Sequence, residues 1–159
     1  MEKVEAANEH RWLKKLVGEW TSEAQMASDA PVGENCRGSE SVRTLGDLWV
    51  LCEGTGDMPG GGTARMLMTL GYDPARQRFV GTWVGSMMTH LWVYEGTLDA
   101  AQRMLTLESE GPSMTGDGKT SRYRDVIAFV SDDHRTLTSH ARKPDGSWQP
   151  FMTAHYRRR

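Results

Sequence analysis

From Trp20 onward the chain alternates: apolar and polar residues exchange places in short runs, and each run ends in a cluster of Gly, Asp, Pro or Asn. Runs punctuated every ~8–12 residues are the pattern of an all-β protein, because a half-buried strand repeats every second residue. One segment departs from that pattern. Over 8–17, Trp12, Leu13, Leu16 and Val17 recur at helical spacing, with Lys14 and Lys15 on the other face. Asn8 is placed to cap the start of this helix, and Gly18 to end it as the C′ residue. The pattern predicts one N-terminal helix over 8–17 and strands over 20–157.

Turn residues divide the strands. Hairpins are expected at Gly46-Asp47, over Pro74 to Gln77, over Asp99 to Gln102, at Asp133-His134 and at Asp145-Gly146. The tracts from Glu53 to Ala64 and from Glu110 to Ser121 are rich in Gly, Ser, Thr and Asp and read as longer connections. The total is about ten strands in a meander. An open sheet of that length has exposed edges, so closure is favoured, and neighbour-to-neighbour hairpins favour up-and-down closure. The predicted fold is an antiparallel up-and-down closed barrel of about ten strands with one N-terminal capping helix. No repeat or linker divides the chain, so 1–159 reads as a single domain.

Loop length fixes which residues face each other, and hence which face inward. A loop over Pro74 to Gln77 sets Tyr72 opposite Phe79, Leu70 opposite Gly81, Met68 opposite Trp83 and Met66 opposite Gly85. Met66, Met68, Leu70, Tyr72, Phe79 and Trp83 then share the inner face. Leu67, Val80 and Val84 point outward, a patch that would suit a homodimer. A loop over Asp99 to Gln102 groups Trp92, Tyr94, Leu98, Leu105 and Leu107, with His90 on the same parity. The Asp145-Gly146 turn groups Leu137, Ala141, Trp148, Met152, Ala154 and Tyr156, and leaves His140 and His155 outside. Gly81 and Gly85 face inward too. Their missing side chains either leave room for a ligand, admit large neighbours or relieve curvature.

Composition narrows the function classes. The net charge of −2 gives no general pull towards nucleic acid or an anionic membrane. The N-terminus has no apolar segment of the secretory kind, and no run approaches the ~18 apolar residues of a membrane helix. Two cysteines, Cys36 and Cys52, lack CxxC spacing and read as reduced thiols of a cytoplasmic protein. The five histidines form no HxH or HExxH motif, so neither a metal nor a cofactor is expected. There is no GxSxG elbow and no GK[ST] phosphate loop. His90 is open to two readings, a polar contact inside a pocket or a histidine at the rim. Glu53, Glu108, Arg65, Arg122 and Arg124 are candidates for a polar end to a pocket.

Five stretches carry a family resemblance: HRWLKKLVGEW, GYDPARQRFVGTWVGSMMTHLWVYEGTLD, LTLESEGP, YRDVIAFVSDDHRTLTS and DGSWQPFMTAHYRR. Together they resemble the uncharacterised bacterial family DUF1579 from His10 to Arg158. That resemblance implies a lipocalin-like barrel and no established activity. Gly18-Glu19-Trp20, a helix end followed by a strand tryptophan, is also similar to lipocalins and fatty-acid-binding proteins. There the tryptophan closes the barrel floor and the interior holds an apolar ligand.

The expected function is binding of a small, largely apolar ligand inside the barrel. Met66, Met68, Leu70, Tyr72, Phe79, Trp83, Trp92 and Tyr94 would line or floor the cavity, with His90 as a polar contact. Three alternatives stand beside it. One is an isomerase-type enzyme with His90 or Glu108 as general base. Another is a haem-binding barrel with His155 as axial ligand, which requires the last hairpin to flip its faces. The third is an interaction protein with a filled core.

Overall fold

The computed structural model describes residues 1–26, 36–58 and 60–159. Ten strands follow a short helix, α1 (Asn8–Leu13), and a single 3-10 turn, Lys14–Leu16. They are β1 (Gly18–Met26), β2 (Cys36–Leu45), β3 (Trp49–Asp57), β4 (Thr63–Asp73), β5 (Arg78–Gly85), β6 (Trp92–Leu98), β7 (Met104–Pro112), β8 (Thr120–Ser131), β9 (His134–Arg142) and β10 (Trp148–Arg158). Each pairs antiparallel with its neighbour in sequence, and β1 pairs with β10, so the sheet closes without an edge. This is the predicted up-and-down barrel.

The alternation was a sound guide to facing residues. Tyr72 lies opposite Phe79, Leu70 opposite Gly81, Met68 opposite Trp83 and Met66 opposite Gly85, as the turn length required. Leu98 lies opposite Leu105. Leu67 and Val84 pair with each other on the outer face.

Four expectations need correction. The helix is shorter than 8–17, and Ala7 rather than Asn8 is its N-cap residue. The Ala7 N–H donates to His10 Nδ1 at 2.9 Å, and His10 Nε2–H donates to the Tyr72 carbonyl at 3.0 Å. A carbonyl can only accept, so the imidazole hydrogen sits on Nε2. A buried histidine thus replaces the missing side-chain cap and ties the helix to β4.

The tract read as a connection over Glu53 to Ala64 is mostly strand: β3 runs to Asp57 and β4 starts at Thr63. Two of its glycines are strand residues, with Gly56 opposite Gly38 and Gly54 opposite Met66. The tract Glu110 to Ser121 likewise shrinks to 113–119. Finally, Trp148 does not share the face of Met152. The pairing with β9 slips between Pro150 and Met152, a β-bulge that leaves Trp148 outside, against the Arg124 guanidinium at 4.2 Å.

One end of the barrel is solid. Leu13, Leu16, Trp20, Val50, Leu70, Phe79, Leu105 and Leu107 are fully buried there. The helix docks through Trp12, whose indole N–H donates to the Gln102 carbonyl at 2.7 Å and whose ring meets Phe79 and Phe129 edge-on. Trp20 donates its indole N–H to the Leu16 carbonyl at 2.8 Å. Two guanidinium groups lie against its ring, Arg158 at 4.1 Å and Arg135 at 4.6 Å. Arg158 also donates to the carbonyls of Val17, Lys15 and Asp132, which belong to two chain segments meeting β10 at this end. Gly18 makes the approach possible. Its φ is +133°, and a Cβ there would fall 2.6 Å from Arg158 Nη1.

Arg158→Ala is therefore expected to cost about 2 kcal/mol, since it removes a charged donor to three carbonyls together with a cation–π contact. Arg158→Lys should recover less than half, because an ammonium lacks the planar fork. Urea midpoints for the two variants measure both.

Candidate functional site

The other end of the barrel is hollow. A cavity of about 670 Å³ opens at the end opposite the helix, where Met58 and the connections 86–91 and 113–119 border it. That volume falls within the range of small-molecule sites. Its wall is mostly apolar. Eight of the ten methionines contribute: Met26, Met58, Met66, Met68, Met87, Met88, Met114 and Met152. A thioether on an unbranched chain adapts its shape, so such a wall can fit more than one occupant.

An aromatic band stands near the mouth. His90, Trp92, Tyr123 and Phe151 follow one another edge-to-face, with ring centroids 4.7, 5.0 and 6.3 Å apart. His90 lies at the rim and donates Nε2–H to the Glu110 carbonyl at 3.0 Å. The Trp92 indole N–H contacts Met88 Sδ at 3.1 Å. Gly111 leaves the space that the Trp92 ring fills, since a Cβ there would lie 2.3 Å from it.

Deeper in the cavity sits a polar cluster. Glu40 on β2 pairs with Arg135 on β9. The Arg135 guanidinium also lies over Tyr156 at 4.1 Å. Asp125 on β8 accepts from the Tyr94 hydroxyl at 2.6 Å and from the Ser139 hydroxyl at 2.7 Å. Burial pushes the Asp125 carboxyl above the ordinary carboxylate value, against the lowering effect of its two hydroxyl donors. Burial likewise raises Tyr94, with Asp125 adding to the effect, and raises Tyr156 and the Cys52 thiol, with Glu40 adding to both.

The nine predicted site residues divide by depth. Met66, Met68, Trp83, His90, Trp92 and Tyr94 line the cavity. Leu70, Tyr72 and Phe79 do not. They belong to the packed end beneath it, where Tyr72 and Phe79 meet at 5.0 Å below the helix. The rim reading of His90 is the one the geometry favours.

The predicted polar end is wrong in its members. Glu53 pairs with Arg43, Glu108 with Arg124 and Arg122 with Glu110, all on the outer wall. Glu108 therefore has no access to the cavity as a general base. His155 also faces outward, where His134 lies 2.9 Å away, so the last hairpin does not turn it inward as an axial ligand. Burial, Arg157 and His155 together hold His134 below the ordinary histidine value. Among the described residues no three His, Cys, Asp or Glu side chains converge as a metal site, and no helix is long and apolar enough to cross a membrane.

Gly81 and Gly85 provide no ligand space. A Cβ on Gly81 would lie 2.1 Å from the Thr69 carbonyl oxygen, and one on Gly85 2.5 Å from Met87 Sδ. The room lies instead at Gly54 and Gly56, where an added Cβ would meet nothing closer than 3.6 Å.

Comparison with known proteins adds the fold's relatives. The chain is similar to the S-type phycobiliprotein lyase CPES from Guillardia theta, at 12% identity and a TM-score of 0.60, over 97% of this chain and 93% of that one. It is also similar to EF1p2_mFAP2b, solved bound to DFHBI, at 11% identity and a TM-score of 0.50, over 94% and 98%. At such identities the likeness is one of fold. No curated protein matches. The family model described as "Protein of unknown function (DUF1579)" matches residues 5–158, and the chain belongs to that family.

Proposed function

We propose that this protein binds a small, largely apolar molecule inside the open half of the barrel. The observation that carries the reading is the cavity itself: about 670 Å³, with a largely apolar wall that includes eight methionines and six aromatic side chains. Entry of an apolar ligand would remove its surface from water at ~25 cal/mol per Å², before the costs of ordering both partners. A related barrel, EF1p2_mFAP2b, holds DFHBI, which agrees with this use of the fold.

The buried polar cluster supports the same reading. A carboxyl held inside an apolar barrel costs stability, and a hydrocarbon core would serve the fold better. Asp125 stands where packing alone would place an apolar residue, beside Ile127 and Leu137 in the cavity wall. It is also the carboxyl best placed for the isomerase-type alternative, with a tyrosine hydroxyl at its side.

Two measurements test this. Nile red, a neutral apolar dye, should bind one to one with a blue shift in emission. Gly54→Leu should weaken that binding roughly tenfold, because the added side chain enters the cavity, while thermal unfolding shows the variant still folded. Absence of binding, or equal binding by the filled variant, would sink the proposal.

The second concerns Asp125. Its folded pKa lies above the unfolded value, so the folded state holds this proton more tightly. Its favourable contribution is complete below the unfolded pKa and is lost as pH rises through the folded pKa. Asp125→Asn does not ionise, and its amide can satisfy both hydroxyls, since each can donate or accept. The variant should be more stable than the parent by about 1 kcal/mol at pH 7, with the gap closing as pH falls towards 4. Denaturant midpoints across that range give the answer.

A further inference from the structure

The polar cluster has a sign, and the sign bears on what the cavity takes. Deep in the barrel the cavity wall holds two acidic side chains, Glu40 and Asp125, and one guanidinium, Arg135, which pairs with Glu40. The three differ in how far they can be reached. The Arg135 side chain is 4% exposed and lies against the rings of Trp20 and Tyr156, while Glu40 retains 14%. Arg135 Nε is buried without an acceptor, so it is not offered to an incoming group either. Asp125 as a residue is half-buried and borders the cavity, with its carboxyl set deep in the wall.

Each acidic side chain already accepts from neighbouring donors. Arg135 donates to Glu40 Oε1, and Tyr94 and Ser139 each donate to one oxygen of Asp125. A carboxylate has about four acceptor positions, so Asp125 keeps two open. Glu40 Oε2 lies towards the space at Gly54, 4.0 Å from where a Cβ there would stand. The inward hydroxyls of Ser22, Ser109 and Tyr156 both donate and accept, and so do not change the balance. At the rim, Arg37 and Asp57 carry opposite charges and lie exposed.

We infer that the cavity selects apolar molecules whose polar end donates hydrogen bonds, a protonated amine above all, and discriminates against carboxylates. The inference rests on the cavity being a ligand site. An ammonium reaching the depth of Asp125 meets open acceptor positions on two acidic side chains. A carboxylate at the same depth meets the acceptor oxygens of Asp125 and Glu40, and the one guanidinium beside them already serves Glu40.

Three ligands that share one chain separate the possibilities: dodecylamine, dodecan-1-ol and dodecanoate, each below its micelle concentration at pH 7. Calorimetry reads affinity, and the fluorescence of Trp83 and Trp92 in the cavity wall reports entry. The amine should bind at least roughly tenfold tighter than the carboxylate, with the alcohol between them. Asp125→Asn should lower amine affinity roughly tenfold and leave the alcohol within about threefold. Glu40→Gln, at a second carboxylate, should lower it in the same direction. Dodecanoate binding as tightly as the amine, or amine affinity unmoved in both variants, would overturn the inference. Equal binding of all three overturns it while leaving the cavity reading intact. Binding of none overturns both.

Discussion

Trp20 at the floor of the barrel is the contact on which the rest of the structure depends. A ten-stranded ring is too wide for its own side chains to fill everywhere, so one end must be plugged if the other is to stay open. The plug is built around this indole. Its N–H is satisfied by the Leu16 carbonyl, which fixes the 3-10 turn, and its ring is held by Arg158 and Arg135. Arg158 belongs to the last strand and reaches the backbone of the first segment at Lys15 and Val17. The contact that seals the floor is thus also the one that closes the ring between the chain's two ends. With that end solid, the methionine-walled end can be hollow without the barrel collapsing into it.

Most of this architecture was legible because it rests on period and turn chemistry. Gly71 to Phe79 shows why: a turn of known length between two alternating runs leaves one pairing that buries the apolar face. Where the reading failed, a residue type was carrying a tertiary meaning. Gly54 and Gly56 look like loop glycines, yet they sit in β3, where an added Cβ would meet only ordinary contacts and their bare backbone leaves room in the cavity wall. The bulge at Phe151 was invisible because one extra residue changes the facing side without changing composition. His10 as a capping group was hidden too, since its partners, Ala7 and Tyr72, meet only in the folded chain.

The polar cluster was legible in principle. Tyr123, Asp125, Ile127 and Phe129 stand on one parity of β8, and Arg135, Leu137 and Ser139 on one parity of β9. A charge on an otherwise apolar face is a stronger sign of function than a conspicuous histidine or a surface carboxylate, because burial penalises it unless something compensates. The chosen candidates, Glu53, Glu108 and Arg124, lie on the solvated parity, where charge has no cost and therefore little meaning.

The two kinds of inner wall have complementary effects. Methionines at the mouth and sides yield in shape, and alone they would admit any apolar body of suitable volume. Asp125, held by Tyr94 and Ser139, and Glu40, held by Arg135, do not yield, because each is fixed by hydrogen bonds from strands of a closed sheet. In the proposed use of the cavity, adaptable packing would set tolerance for the ligand's body, and a rigid pair of acceptors a requirement on its head. Such a site would discriminate by electrostatic penalty rather than by fit, since a wrongly charged ligand would leave its solvation at the mouth and find no replacement for it inside.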